Sequence, residues 1–149
     1  MGVDDVDFAT IKNAWSFVNI MPMSEKINTA WIDSIVEVGV PAQLKAGDTI
    51  ISINDQNTDR GFLLISGEYS VEKDGSPELV KPAPELLGEM GRLNPTQKRT
   101  ATVRASTDVS MLSFSWQKIN EALQRRLNET EFGQLTDGLQ QYAWGHFAE

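Results

Sequence analysis

The feature that constrains the fold most is a change of hydrophobic periodicity at Pro41, from helical spacing to short strand-like runs, with a return to helical spacing at Trp116. Outside these two points, apolar residues recur three and four positions apart, which is typical of helices that bury one face. Between them, short apolar runs are separated by Gly, Pro, Asn and Asp, which is typical of strands joined by turns. The chain is therefore predicted to place a block of strands between two helical segments.

Four apolar stripes define the predicted helices, and each indicates one buried helix face. Their members are Phe8, Ile11, Trp15 and Val18; Ile27, Trp31 and Ile35; Trp116, Ile119, Leu123 and Leu127; and Phe132, Leu135, Leu139 and Tyr142. Ser24 is the predicted N-cap of the second helix, because serine side chains accept hydrogen bonds from the free N–H groups of a first turn.

Five runs in the middle of the chain are predicted strands, at 49–53, 62–66, 68–72, 100–105 and 109–114. Polar and apolar residues alternate strictly in 68–72 and 101–105, so each of these strands is expected to bury one face only. Such strands suit an antiparallel sandwich or barrel. The predicted fold class is α+β, mainly β: an antiparallel β-roll or jelly-roll-like barrel of about eight short strands, flanked by N-terminal and C-terminal helices.

The length of 149 residues favours a single domain. Hydrophobic residues make up 40% of the chain and charged residues 23%, which is ordinary for a globular protein. We therefore predict one domain over 1–149. It is divided into N-terminal helices at 1–38, a β-roll at 39–115 and C-terminal helices at 116–149.

The net charge of −8 excludes direct binding of nucleic acid as an expected function, because that affinity comes mainly from Lys and Arg. The longest uncharged stretch, 13–24, is shorter than the ~20 apolar residues of a membrane span. The N-terminus is acidic where a secretory signal would be basic. A cytoplasmic protein without a membrane span is therefore predicted, and the lack of cysteine excludes disulfides and thiolate metal sites.

Segment 88–101 carries the side chains that indicate a ligand. Gly88 permits close approach of the backbone, and a helical turn after it would present free N–H groups to an anion. Arg99 lies ten residues after Glu89, and a guanidinium group can hold two phosphate oxygens. An ionised Glu89 accepts hydrogen bonds only, which suits a sugar hydroxyl beside that phosphate.

This segment resembles the phosphate-binding cassette of the cyclic-nucleotide-binding domain family, in which Gly-Glu-apolar-small is followed by a short loop and Arg-small-Ala. Gly88-Glu89-Met90-Gly91 and Arg99-Thr100-Ala101 match that pattern, with a spacing similar to that of bacterial catabolite activator proteins. The resemblance extends from Val40 to Leu127 and includes 64–68, which is similar to the family's central hairpin. Pro84 departs from it, since the family usually has glycine there.

The resemblance implies a sensor domain that binds cyclic AMP (cAMP) or cyclic GMP (cGMP) and performs no chemistry on it. Gly88 and Met90 would offer backbone groups, Glu89 would bind the ribose 2′-hydroxyl, and Arg99 would pair with the cyclic phosphate. Thr100 would contact the phosphate or the base, and Ala101 completes the motif. The cassette spacing favours cAMP, whereas Thr100 is compatible with cGMP. No further cofactor is implied, and a homodimer or a separate output domain would receive the signal.

The final predicted helix is the expected route of that signal. Gly133, Gly138 and Gly145 each cost about 1 kcal/mol relative to alanine in a helix interior. This helix should therefore fray unless another surface packs on it, and a filled nucleotide pocket would supply that surface.

Enzyme functions fit the sequence poorly. A cupin-type metal site needs two or three histidines, and His146 is the only histidine. There is no cysteine and no Gly-x-Ser-x-Gly elbow for nucleophilic catalysis. The alternative that stays open is a degenerate member of the same fold that binds no nucleotide and serves as a docking or dimerisation module.

Overall fold

The structure, a computed structural model, describes residues 8–17, 24–52, 59–72, 78–88 and 101–148. Within these ranges the chain forms four helices and eight strands. The helices are α1 (Phe8–Phe17), α2 (Glu25–Val38), α3 (Trp116–Arg126) and α4 (Glu129–Ala148). The strands are β1 (Val40–Leu44), β2 (Thr49–Ile51), β3 (Arg60–Ser66), β4 (Glu68–Glu72), β5 (Leu79–Pro82), β6 (Glu85–Leu87), β7 (Thr102–Ala105) and β8 (Val109–Ser115).

The described strands form two antiparallel sheets of four strands each. The first sheet has the order β1-β8-β3-β6 and the second has the order β2-β7-β4-β5. In the first sheet, Leu112 of β8 lies opposite Pro41 of β1 on one side and Leu63 of β3 on the other. In the second sheet, Val103 of β7 lies opposite Val71 of β4. Two mainly antiparallel sheets with flanking helices confirm the predicted fold class.

The first sheet is buried on both faces, because the helices cover one face and the second sheet covers the other. Along β3, Leu63 packs among the helices, while Phe62 and Leu64 lie between the two sheets. Along β8, Leu112 faces the helices and Met111 lies between the sheets. Side chains alternate across a strand, so a strand buried on both faces is mostly apolar. Strand β3 accordingly contains the apolar run 62–65, whereas β8 also contains serines, of which the buried Ser113 accepts a hydrogen bond from Arg60 at 2.8 Å.

The second sheet exposes its outer face, as the alternating sequence pattern predicts. Burial alternates along β7, and Arg104 on its outer face pairs with Glu72 of β4 at 3.1 Å. Ser70 departs from the pattern, because it is buried although it is polar. It lies directly between Val80 and Arg104 on the two neighbouring strands, and their longer side chains flank this small residue.

The prediction of a hairpin at 64–68 is wrong, because β3 and β4 lie in different sheets. Strand β3 pairs with β6 and β8, whereas β4 pairs with β5 and β7. The chain crosses from one sheet to the other at Gly67, which has a φ of +102°. The backbone N–H of Ala83 donates to the Gly67 carbonyl at 2.9 Å. The segment is therefore a corner between sheets rather than a turn within one.

The helices form one layer on the outer face of the first sheet. Ser24 caps α2 as predicted, since its hydroxyl accepts a hydrogen bond from the Ile27 N–H at 3.2 Å. At the centre of the layer, Trp31 of α2 contacts Trp15 of α1, with ring centroids 4.8 Å apart. The Trp15 indole also donates to Asn28 at 3.3 Å. In the part of the chain that the structure describes, each helix is too short or too polar to cross a lipid bilayer.

Ion pairs join both ends of α2 to the C-terminal helices. Near its first turn, Lys26 contacts Glu131 of α4 at 2.8 Å. In its last turn, Glu37 accepts hydrogen bonds from Arg125 and from Arg126 of α3, the latter at 2.9 Å. These bonds, led by that of Arg125, lower the pKa of Glu37, and the bond from Lys26 lowers the pKa of Glu131.

Candidate functional site

The predicted cassette at 88–101 begins on one sheet and ends on the other. Gly88 directly follows β6 at the edge of the first sheet, and Ala101 directly precedes β7 inside the second sheet. The other four predicted ligand contacts lie outside the described residues; they are Glu89, Met90, Arg99 and Thr100. The roles of all six residues stay predictions, and the structure supplies the two ends between which the cassette runs.

The backbone at Gly88 requires glycine. Its φ is +84°, a conformation that side chains with a Cβ rarely adopt. The chain reaches this point from β5 through the cis Ala83–Pro84 peptide bond and the short strand β6. A residue other than glycine would strain the first position of the cassette.

Strand β6 and the following Gly88, which lead into the cassette, each accept a side-chain hydrogen bond from another layer of the fold. The buried Tyr69 of the second sheet donates its hydroxyl to Glu85 Oε2 at 3.1 Å. The Trp116 indole of helix α3 donates its Nε1–H to the Gly88 carbonyl at 2.9 Å. The start of the cassette is therefore fixed both by the opposite sheet and by the first residue of a C-terminal helix.

Trp116 is itself held by the segment before β3. Its backbone N–H donates to the Asp59 carbonyl at 2.8 Å. The Asp59 carboxylate accepts hydrogen bonds from the Ser115 hydroxyl at 2.5 Å and from the Gln117 N–H at 3.1 Å. Ser115 in turn accepts from the Lys118 N–H at 3.3 Å and caps α3. The start of α3 therefore has a defined position relative to β3 and to the cassette.

Sequence reasoning did not identify Tyr69, Glu85, Asp59 or Trp116 as residues that frame the site. Trp116 was recognised as a member of a helical stripe, but its bond to Gly88 joins residues 28 positions apart. No periodicity or local motif connects two such positions. Within the described ranges, no group of three or more His, Cys, Asp or Glu side chains is arranged to hold a metal ion.

Comparison with known families identifies the class of this protein. The family model of the cyclic nucleotide-binding domain matches residues 41–126, which is more than half of the chain and contains the whole of segment 88–101. The chain therefore belongs to the cyclic nucleotide-binding domain family. This confirms the resemblance read from the sequence.

Curated relatives include proteins of two kinds. The chain is 39% identical over 77 residues to the Pycsar effector protein RsmPycTIR of Rhodovulum sp., a match that covers 50% of this chain and 30% of the relative. It is 33% identical over 100 residues to the cyclic nucleotide-gated potassium channel mll3241 of Mesorhizobium japonicum, covering 67% of this chain and 27% of the channel. The chain thus spans less than a third of the length of either relative.

A solved structure described as Sp-2Cl-cAMPS bound to PKAR CBD2 has a similar fold. The superposition has a TM-score of 0.57 at 16% sequence identity and covers 93% of this chain and 85% of that chain. At this identity the likeness concerns the fold alone, and it agrees with two antiparallel sheets flanked by helices.

Proposed function

We propose that this chain is a regulatory domain that binds a cyclic nucleoside monophosphate through segment 88–101. The observation that carries the proposal is the family match at 41–126, which includes both ends of that segment. The geometry supports the proposal, because the two ends of the segment, Gly88 and Ala101, adjoin strands of different sheets. In addition, the carbonyl of Gly88 accepts a hydrogen bond from Trp116. Anchoring a binding segment at both ends lowers the entropy lost when it closes on a ligand.

The proposed contacts divide the ligand into its phosphate and its sugar. Arg99 pairs with the cyclic phosphate, and the backbone of Gly88 and Met90 adds donors nearby. Glu89 accepts a hydrogen bond from the ribose 2′-hydroxyl, and Thr100 contacts the phosphate or the base. The net charge of −8 does not oppose this, because charges beyond a Debye length of about 8 Å are largely screened. The ligand is a signal rather than a substrate in this proposal.

Calorimetric titration with cAMP, cGMP, cCMP and cUMP tests the proposal. We expect saturable binding with one site per chain, and tighter binding of cAMP than of cGMP because the cassette spacing is of the bacterial activator kind. At a ligand concentration of about 100 times Kd, binding should stabilise the fold by about 2.7 kcal/mol, which thermal unfolding would register independently.

The matched control ligand is 5′-AMP, which has the same base and ribose but no cyclic phosphodiester. We expect it to bind much more weakly than cAMP, because Arg99 would meet a phosphate in a different position. Tighter binding of cGMP would overturn the base preference alone. If none of the four cyclic nucleotides binds to the folded chain, the proposal fails and the docking or dimerisation module becomes the better interpretation.

We also propose that the bound state is passed on through the C-terminal helices to a homodimer partner or to an output domain outside this sequence. The three glycines of the final helix predict that it frays, but the first part of α4 packs against the other helices. Leu135 and Leu139 are fully buried against the helix layer, and Glu131 pairs with Lys26. The contribution of a ligand is therefore expected beyond Leu139 rather than along the whole helix.

Hydrogen exchange of α4 measures this effect. On nucleotide addition we expect amide exchange at 142–148 to slow by up to about 100-fold when the ligand is at about 100 times Kd. Exchange at 132–139 and in β8 should change much less, because Leu135, Leu139 and the residues of β8 pack against other parts of the protein. Equal exchange at 142–148 with and without ligand would show that the signal does not pass through α4. The N-terminal helices α1 and α2 would then be the alternative route.

A further inference from the structure

The indole of Trp116 lies where the C-terminal helices meet the start of the cassette. Its Nε1–H donates to the Gly88 carbonyl at 2.9 Å, and the residue is 2% exposed. Trp116 is the first residue of α3, and Gly88 is the first residue of the predicted cassette. This hydrogen bond connects the element proposed to bind the ligand with the helix that follows the β-roll.

The indole ring is confined by neighbouring rings and by the backbone of β3. Phe114 packs edge-on against it with centroids 4.9 Å apart, and Trp31 lies 6.3 Å away. The lack of a side chain at Gly61 leaves room for the ring, because a Cβ at that position would be 2.7 Å from Cε2 of Trp116. Since the backbone of Trp116 is also held by Asp59, both ends of the residue are fixed. Its N–H group is therefore aimed at the Gly88 carbonyl.

We propose that Trp116 is a positioning residue for nucleotide binding, which sets the start of the cassette by holding the Gly88 carbonyl; this inference rests on the proposed function. A peptide unit is planar, so fixing its carbonyl also fixes the direction in which the chain continues into the cassette. Without that bond, the start of the cassette samples more orientations, and the ligand must select among them. Trp116 touches no ligand in this proposal and acts through Gly88.

The same bond makes the effect reciprocal. If the Trp116–Gly88 bond favours the binding-competent cassette, ligand binding must favour the bond by the same factor. The indole N–H of Trp116 is therefore expected to report the bound state directly, although it lies on the helix side of Gly88.

Trp31 supplies a matched control. It is fully buried in the same aromatic cluster, and among the described residues no acceptor lies within hydrogen-bond distance of its Nε1. Trp116→Phe and Trp31→Phe each replace a buried indole by a phenyl ring, with similar losses of packing. Of the two, Trp116→Phe removes a hydrogen bond to the start of the cassette.

Calorimetry on the full chain, with the cyclic nucleotide that the wild type binds most tightly, gives the first test. Trp116→Phe should raise Kd by about 3- to 10-fold, the net effect of one lost hydrogen bond. Trp31→Phe should change Kd by less than about 2-fold, although urea unfolding should show a similar loss of stability in both variants. Equal Kd values for wild type and Trp116→Phe would contradict the inference about Trp116 but would not affect the proposed function. A wild type that binds no cyclic nucleotide would contradict both the inference and the proposed function.

The indole resonances of the wild type give a second test that needs no destabilised variant. Each tryptophan Nε1–H gives one proton–nitrogen correlation, which is assigned in the wild type by triple-resonance experiments. On nucleotide addition the Trp116 resonance should shift, and that of Trp31 should move much less. A Trp116 resonance that stays in place while the ligand saturates the protein would contradict the inference.

Discussion

Arg99→Ala is expected to weaken binding of the cyclic nucleotide by roughly 30- to 1000-fold. The substitution removes one or two charge-assisted hydrogen bonds to the cyclic phosphate, or about 2–4 kcal/mol. Alanine keeps the backbone and Cβ and removes the rest of the side chain, including the guanidinium group. Isothermal titration of the variant with the ligand that the wild type prefers measures the loss, and urea unfolding without ligand shows that the fold is retained.

Lys98→Ala is the matched control for this prediction. It removes the same charge from the neighbouring position, which lies outside the family motif. We expect less than about a 3-fold change in Kd, since a neighbouring charge that makes no contact with the ligand acts only through screened electrostatics. Equal losses in the two variants would mean that general positive charge attracts the ligand, and that Arg99 has no specific role.

Gly67→Ala is expected to lower the free energy of unfolding by about 2–5 kcal/mol. At a φ of +102° an alanine is strained, and its Cβ would meet the Asp108 carbonyl oxygen and lie 2.9 Å from Cγ2 of Val109. The chain crosses between the two sheets here, so the backbone cannot move away without disturbing β3 or β4. The midpoint of urea unfolding measures the loss.

Substitutions at two other glycines distinguish the cost of backbone strain from the cost of steric contacts of the added Cβ. Gly47 also has a positive φ, +96°, but its Cβ position is open, so Gly47→Ala should cost only the strain of about 1–2 kcal/mol. Gly133 lies in α4 with open space around it, and Gly133→Ala should stabilise the protein by about 0.5–1 kcal/mol. If Gly47→Ala and Gly67→Ala cost the same, the contacts with Asp108 and Val109 do not matter.

Hydrophobic periodicity was sufficient to locate most of the strands. The predicted run at 68–72 coincides with β4, and the predicted bounds of β3, β7 and β8 agree with the structure to within two residues. These strands were recognisable because one or both of their faces are buried, and burial leaves a pattern along the chain. The helices were recognisable for the same reason, with Trp31 and Ile35 at the centre of their layer.

Strands β5 and β6 carried no such signal. Strand β5 ends at Pro82 and is followed by Pro84, and proline is normally read as a break because it has no N–H to donate. The fold accepts this because β5 is an edge strand, where one side of the backbone needs no partner strand. Strand β6 spans only Glu85–Leu87, which is too short to show a period.

One part of the candidate site could be predicted from neighbouring residues in the sequence, and the other part depends on residues that are distant in the sequence. The family motif from Gly88 to Ala101 is contiguous, so it could be read from the sequence. The bond that holds its first residue comes from Trp116 of α3, and the bond that holds Glu85 of the preceding strand comes from Tyr69 of the second sheet. Such contacts depend on how the sheets and helices pack, and no spacing in the sequence encodes them.

Helix α2 joins α1 and the C-terminal helices in one packed layer. The ion pairs of Lys26 and Glu37 are exposed and individually weak in salt, so the buried contacts of Trp31 and Ile35 hold the helices together. A domain fused before α1 and one fused after α4 would therefore both be attached to the same packed layer of helices.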